Sequence, residues 1–330
     1  MPPINRRQAS RLIAGALGAA ALAGPLHAQP AAYPSRPVHL IVPYPAGGGT
    51  DAFARIISER LRQELGQPVL IDNKPGAGTM IAAEQVARSA PDGYTVLLGD
   101  TGTYAVNQSL YKKVPYDVGK DLAPVTLTTR FALMLVVHPS VPVQTVQELV
   151  AMAKAQPGKI NFASVGTGSP HHLAMELFKQ QAGIDLAHVP YKGGAPAIND
   201  LLPGRVPVMF LDVISGAQHV RTGKLRAIGV ASPQRLSYLP GVPTVSESGL
   251  PGFEAWAWQG FTVPAGTPAA VIERLNKAYA AAAADPDIQR RVAEMGTETI
   301  PSSPQQMADY IRAESAKWAK IIREGNITVD

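Results

Sequence analysis

The sequence predicts an α/β protein of two lobes, and three observations carry that reading. Short β-branched runs alternate with segments of helical period, the signature of an α/β sheet. The 330 residues exceed one comfortable core, so the chain is expected to split in two. A strand runs through a glycine turn into a helix twice, at "VPYPAGGGTD" (Val42–Asp51) and at "NFASVGTGSPHH" (Asn161–His172). With 46% hydrophobic and 17% charged residues the composition is globular, which sets aside disorder, collagen and coiled coil.

Taken in order, Val38–Val42 reads as the first strand. Asp51–Leu65 places Phe53, Ile56, Ile57, Leu61 and Leu65 mostly on one helical face, with Gly66 to close it. Asp51 is the expected N-cap, because aspartate at a helix start accepts backbone N–H bonds. Val69–Asp72 is a second strand, Met80–Arg88 a second helix, and Thr95–Leu98 a third strand after the turn Pro91-Asp92-Gly93. A new series begins with the apolar strand Phe131–Val137, and Thr145 with Glu148 forms a capping box for a helix to Gln156. Strand Ile160–Ser164, helix Pro170–Gln181, strand Ala187–Val189, helix Ala195–Leu202 and strands Val206–Leu211 and Leu225–Val230 follow. A proline-rich loop from Pro240 to Pro251 leads to a strand near Phe261–Val263, then to helices at Ala269–Ala284, Asp287–Met295 and Pro304–Glu324. Trp256 and Trp258 alternate as in a strand and are assigned to packing.

The N-terminus is a separate matter. Arg6, Arg7 and Arg11 precede the apolar run Leu12–Ala23, then Gly24, Pro25 and Ala28, which matches a cleavable secretory signal over residues 1–28. The run is shorter than the about 20 apolar residues that a spanning helix needs. The Arg6-Arg7 pair leaves twin-arginine export open beside ordinary secretion. Without these residues 27 Lys and Arg face 25 Asp and Glu, so the net charge falls from +5 to +2. No lysine-rich run or aromatic–basic alternation supports a nucleic-acid partner. Zero cysteines exclude disulfides, thiolate metal sites and cysteine nucleophiles, and no motif would hold a cofactor or metal.

The glycine turns carry the chemistry. A helix N-terminus exposes unpaired N–H groups and about half a positive charge, so it binds anions without lysine or arginine. Neither turn contains a basic residue, so Gly47–Asp51 and Gly166–Ser169 suit a small carboxylate held by main-chain N–H groups, with hydroxyls from Thr50, Thr167 and Ser169. A phosphate would usually attract a basic partner as well. The plain alternative is chain reversal, which such turns perform in most α/β proteins. His171 and His172 diverge by about 100° on a helix and cannot chelate one ion, so a loop-contact role is expected of them. A hydrolytic triad of Ser169, His172 and Asp212 lacks the G-x-S-x-G elbow. Tyr191 follows a strand, where a cleft contact and an exposed turn are both open. Asp212 closes an apolar strand, and Thr101 and Tyr104 follow the third strand, where ligands collect in α/β sheets.

These segments resemble the Bug (TctC-like) family, the periplasmic solute receptors of tripartite tricarboxylate transporters. The match covers essentially the whole chain after the signal, through "YPSRPVHLIVPYPAGGGTDAFAR", "NKPGAGTMIAAEQVARSAPDGYTVLLGDTGTYAVN", "INFASVGTGSPHHLAMELF", "VPYKGGAPAINDLLPGRV", "GKLRAIGVAS" and "GVPTVSESGLPGFEAWAWQGFTVPAGTP". The resemblance implies a two-lobed periplasmic-binding-protein fold of type II, a Venus flytrap with two crossover strands as hinge. Residues 33–130 plus 233–330 would form lobe 1 and residues 131–232 lobe 2. It points to Tyr44, Ala46, Gly47, Gly48, Thr50 and Asp51 in one lobe, and to Ser164, Gly166, Thr167, Gly168, Ser169 and His172 in the other, as the residues that grip one ligand carboxylate. Thr101, Tyr104, Tyr191 and Asp212 are the candidates for the rest of the ligand. Relatives often carry other residues around Ala46 and Gly49, which leaves the pocket's shape open. The implied protein is a periplasmic, monomeric receptor with no catalytic residue, delivering a small organic carboxylate to membrane permease subunits. A receptor that signals to a membrane sensor, or a secreted α/β enzyme acting on carboxylates, are the alternatives.

Overall fold

The structure, a computed structural model, describes residues 33–236 and 239–329. The signal expected at residues 1–28 lies outside them. Among the described residues no helix is long and apolar enough to cross a membrane.

The first half alternates β1 (Val38–Val42), α1 (Gly49–Leu65), β2 (Val69–Asn73), α2 (Met80–Ala87) and β3 (Thr95–Asp100). β1 pairs in parallel with β2 on one side and β3 on the other. Helix α1 forms because Phe53, Ile57, Leu61 and Leu65 recur at four-residue spacing and are all buried. Gly66 ends it in the left-handed region, φ 72°, and returns its N–H to Arg62 O. Gly48, not Asp51, is the N-cap; Asp51 sits in the first turn. The expected cap residue is thus displaced, because the helix starts two residues early on glycine, and its carboxylate reaches back to the turn instead.

Strand β4 (Leu122–Val137) is sixteen residues long and begins nine residues before the apolar run predicted for it. Its first part escapes the pattern because Pro124 and several threonines interrupt it, and the ladder is irregular there, between Pro124 and Thr126. After β4 come α3 (Val146–Ala155), β5 (Asn161–Ser164), α4 (Pro170–Ala182), β6 (Ala187–Pro190), α5 (Gly194–Leu201), β7 (Val208–Asp212), α6 (Val213–Arg221) and β8 (Arg226–Val230). Helix α6 has no counterpart in the sequence reading, because Gly216 and its β-branched start mask the helical signal. Thr145 caps α3 by accepting from Glu148 N, while the Glu148 carboxylate takes the N–H of Gln144 and not of Thr145, so the box is offset by one residue.

The chain closes with β9 (Trp256–Pro264), α7 (Ala269–Ala283), α8 (Pro286–Glu294), β10 (Thr297–Thr299) and α9 (Pro304–Glu324). The strands run β2-β1-β3-β9-β4-β7-β5-β6, with β10 and β8 also on β4. β4 therefore serves both halves: Leu122–Ala132 pairs antiparallel with β9, and Leu133–Val137 pairs with β7 and, over most of its length, β8. Alternation along it feeds two cores. Leu133, Leu135 and Val137 join the larger cluster, while Ala132, Met134 and Val136 join the smaller. Both faces of this stretch are buried, which is why it reads as one apolar run. The tail is anchored by Glu314 of α9, whose carboxylate accepts from Trp258 Nε1 at 3.1 Å and Trp318 Nε1 at 2.8 Å. Trp258 and Trp256 are both buried, as packing residues.

Candidate functional site

The parallel strands of both halves end at one cavity of about 740 Å³. From the first half it is lined by Tyr44, Gly49 and Thr50 after β1, by Gly76–Thr79 in part, and by Asp100 and Thr101 at the end of β3. The second half contributes Val165–His171 after β5 and Asp212, Ile214 and Ser215 after β7. Thr129 and Phe131 of β4 and Ala257–Gln259 of β9 lie between them. The strand ends of an α/β sheet are where helix N-termini and loops converge, so the topology itself places the cavity.

The first glycine turn is uncapped. Gly48 has no side chain to accept from the α1 N–H groups, and no other side chain caps this helix start. Asp51 is buried, and its carboxylate accepts from Gly47 N at 2.9 Å, from Asn73 Nδ2 and from Arg55. The Arg55 guanidinium, aided by Gly47 N–H and Asn73, holds the Asp51 carboxyl down to about 2. Asp51 thus shapes the turn from behind, and the Gly47 N–H belongs to it. Gly47 needs its φ of +87°, a backbone state that favours glycine. Thr50 faces the cavity with its hydroxyl oriented by a relay: Thr129 Oγ1 donates to Gln259 Oε1 at 3.1 Å, and Gln259 Nε2 donates to Thr50 Oγ1 at 2.7 Å. The Thr50 proton is therefore free to point elsewhere.

The second turn is held by its own side chains. Ser169 caps α4 by accepting from His172 N, and its hydroxyl donates to Gly166 O at 2.7 Å. His172 Nδ1 accepts from Gly168 N at 3.0 Å. Ser164 Oγ bonds Gly166 N and O and meets His188 Nε2 at 2.7 Å. Gly168 has φ +77°, and a Cβ there would lie 2.1 Å from Leu110 Cδ2, so the turn is pressed against the first half.

Of the residues expected at a ligand, Tyr44, Thr50, Thr101, Gly166, Thr167, Gly168, Ser169 and Asp212 line the cavity. Ala46, Gly47 and Gly48 lie on the exposed outer side of the turn and do not line it. Asp51, Ser164 and His172 are buried behind the two turns as supports. Tyr104 is fully buried; its hydroxyl bonds Gly99 N, Gly260 O and Thr262 Oγ1, its ring stacks on Trp258, and burial pushes its phenol well up. Tyr191 turns away from the cavity to donate to Asp200 at 2.9 Å. Three lining residues escaped the sequence reading. Asp100 closes an apolar strand just as Asp212 does, so the same signal could have found it. Gln259 is a polar residue inside an otherwise apolar strand. His171, read as a loop contact, pairs Nε2 with Asp212 Oδ1 at 3.0 Å. Among the described residues no group of His, Asp and Glu could hold a metal ion.

The pattern of the family described as "Tripartite tricarboxylate transporter family receptor" matches residues 53–327. The chain is 41% identical over 294 residues to the "UPF0065 protein in tcbD-tcbE intergenic region" of Pseudomonas sp. (strain P51), covering 89% of this chain and 87% of that one. It is 37% identical to Protein BugT of Bordetella pertussis over 93% and 94% of the two chains. It superposes on Rpa4515 of R. palustris, solved with adipate, with TM-score 0.79 and 35% identity over 90% of this chain and 99% of that one. This chain therefore belongs to the tripartite tricarboxylate transporter receptor family, the Bug/TctC-like solute-binding receptors, and has their two-lobed α/β fold.

Proposed function

We propose that the protein is a periplasmic receptor that captures a small organic carboxylate in this cavity, closes its lobes over it and delivers it to the membrane subunits of a tripartite tricarboxylate-type transporter. The observation that carries the reading is the uncapped start of α1 beside the oriented Thr50 hydroxyl, facing a cavity lined by no lysine or arginine. Such a start holds a carboxylate by N–H groups and the helix dipole alone. The adipate carried by the Rpa4515 structure supports the ligand class. The cavity offers no nucleophile with a base beside it, so binding without turnover is the chemistry proposed.

We place the lobe boundaries on β4 near Leu133 and at Ala255. The return thus comes later than the residue 232 expected from the resemblance. Support comes from Phe253, which packs on Phe210 and Phe178, and from Ala255 N, which donates to Ala231 O. Closure is a population shift, because a ligand touching both lobes binds the closed form better. Calorimetric titration of the purified protein with a panel of carboxylic acids tests the reading. Saturable binding that weakens in Thr50→Val supports it, and binding of ligand unaffected by that change would sink it.

A further inference from the structure

Both acid side chains that line the cavity lack a basic counter-charge from Lys or Arg, and they come from opposite lobes. Asp100 stands at the end of β3. Its Oδ1 accepts from Thr103 N at 2.9 Å and Thr103 Oγ1 at 2.8 Å, and its Oδ2 accepts from the Tyr44 hydroxyl, all neutral donors. Asp212 stands at the end of β7, with Oδ1 on His171 Nε2, and its side chain makes no cap on the helix that follows. His171 is only 6% exposed, lines the same wall and keeps a buried Nδ1 with no partner. This wall carries no Lys or Arg. Arg130 lies between the lining residues Thr129 and Phe131. Strand alternation turns it to the opposite face, where its guanidinium lies 4.2 Å over the Trp256 ring and pairs with Glu298.

Resting on the carboxylate reading above, we propose that the cavity selects acids that carry an amino group at the far end, and discriminates against dianions. The carboxylate end sits at the α1 start and Thr50. The ammonium end meets Asp100 and Asp212, one from each lobe, so its charge also draws the lobes together. A diacid would bring a second carboxylate to the same two acid side chains, where like charge repels.

The test is a matched series titrated calorimetrically into the purified protein: 4-aminobutanoate to 6-aminohexanoate, butanoate to hexanoate, and succinate to adipate. All share one carboxylate and differ at the other end. The amino acids are expected to bind about tenfold or more tighter than the simple acids of equal length, and the diacids weakest. Asp212→Asn and Asp100→Asn, near-isosteric changes verified as folded by circular dichroism, should each shrink the amino preference by about tenfold and raise diacid affinity. Diacids that bind as well as the amino acids, or an order of affinities untouched by both changes, would overturn the inference and leave the carboxylate reading standing. Binding by none of the series would overturn both.

Discussion

The two glycine turns face the same cavity, and they treat their donors in opposite ways. In Gly166–Ser169 the caps are internal: Ser169, His172 and Ser164 occupy the N–H and C=O groups of the turn. In Gly47–Thr50 only the Gly47 N–H is taken, by Asp51, and the helix start is left open with a hydroxyl aimed by Gln259. On the reading proposed above, the difference assigns binding to the first turn and shaping to the second. An open helix start keeps its field and donors for a ligand, whereas a capped one is a rigid surface that can be pressed against a neighbour. The second turn is pressed in just this way, against Leu110.

The largest test of that division is at Gly168. Valine there forces a β-branched residue to φ +77° and drives Cβ to 2.1 Å from Leu110 Cδ2, both of which resist closure. Ligand affinity should fall on the order of 100-fold, with liganded and unliganded X-ray scattering profiles becoming alike. The double change Gly168→Ala with Leu110→Ala separates the two causes: recovery of affinity assigns the effect to contact, and none assigns it to backbone strain. Full affinity in Gly168→Val would remove the shaping role.

Acid should distinguish the turns next. His188 supports the second one, bonded to Ser164 and stacked on His172 with ring centres 3.8 Å apart. Burial, and then the neighbouring His172, lowers its imidazole from 6.5 to about 4. A histidine lowered in the folded state is charged more readily in the unfolded chain. Its stabilising contribution is therefore complete above pH 6.5 and is lost as the pH falls from 6.5 to 4. Asp51, support of the first turn, is an acid lowered to about 2, so its contribution is complete above its ordinary value near 3.8 and is lost only as the pH falls toward 2. Melting temperatures measured from pH 7 to 3 should drop first in the histidine window, and His188→Gln should flatten that drop. An unchanged slope in the variant would break the assignment.

A smaller effect belongs to the binding turn itself. Thr50→Val keeps the shape but removes the hydroxyl that Gln259 orients, leaving Gln259 Nε2 without its partner. The expected cost is about 1 to 2 kcal/mol of binding, with little change in melting temperature. A larger loss of stability than of affinity would mean that Thr50 is structural.

Much of this was legible in the chain. The core helices and strands stand within a few residues of their apolar patterns, and both glycine turns border the cavity. Local pattern is enough where one face is buried and the period is regular, as in α1. It fails at β4, whose first nine residues are strand only because β9 and β10 lie beside them. It fails for Tyr104 as well, since the spacing of residues after β3 could not show that a π-type turn at Gly102–Val106 swings the ring under Trp258. Asp51, Ser164 and His172 were placed near the ligand because they adjoin the turns, but the backbone puts such neighbours behind the donors they hold. Asp212 and His171 are far apart in sequence, and only the packing of β7 against β5 brings them together.

The smallest predicted effect concerns a glycine that looks as important as the rest of its run. Gly48 has φ −81°, which any residue adopts, and an added Cβ would meet nothing nearer than Pro45 O at 3.8 Å. Its outer side is exposed and it does not line the cavity. Gly48→Ala should therefore change stability by no more than about 0.5 kcal/mol and leave affinity within about twofold. Gly47, one residue earlier at φ +87°, should not tolerate the same change, although its Cβ would also meet open space. A pair of alanine variants compared by thermal melting and calorimetry isolates backbone conformation from contact at the same turn. Equal losses at the two positions would mean that the run is needed for close approach of the ligand along its whole length, and would return Gly48 to the site.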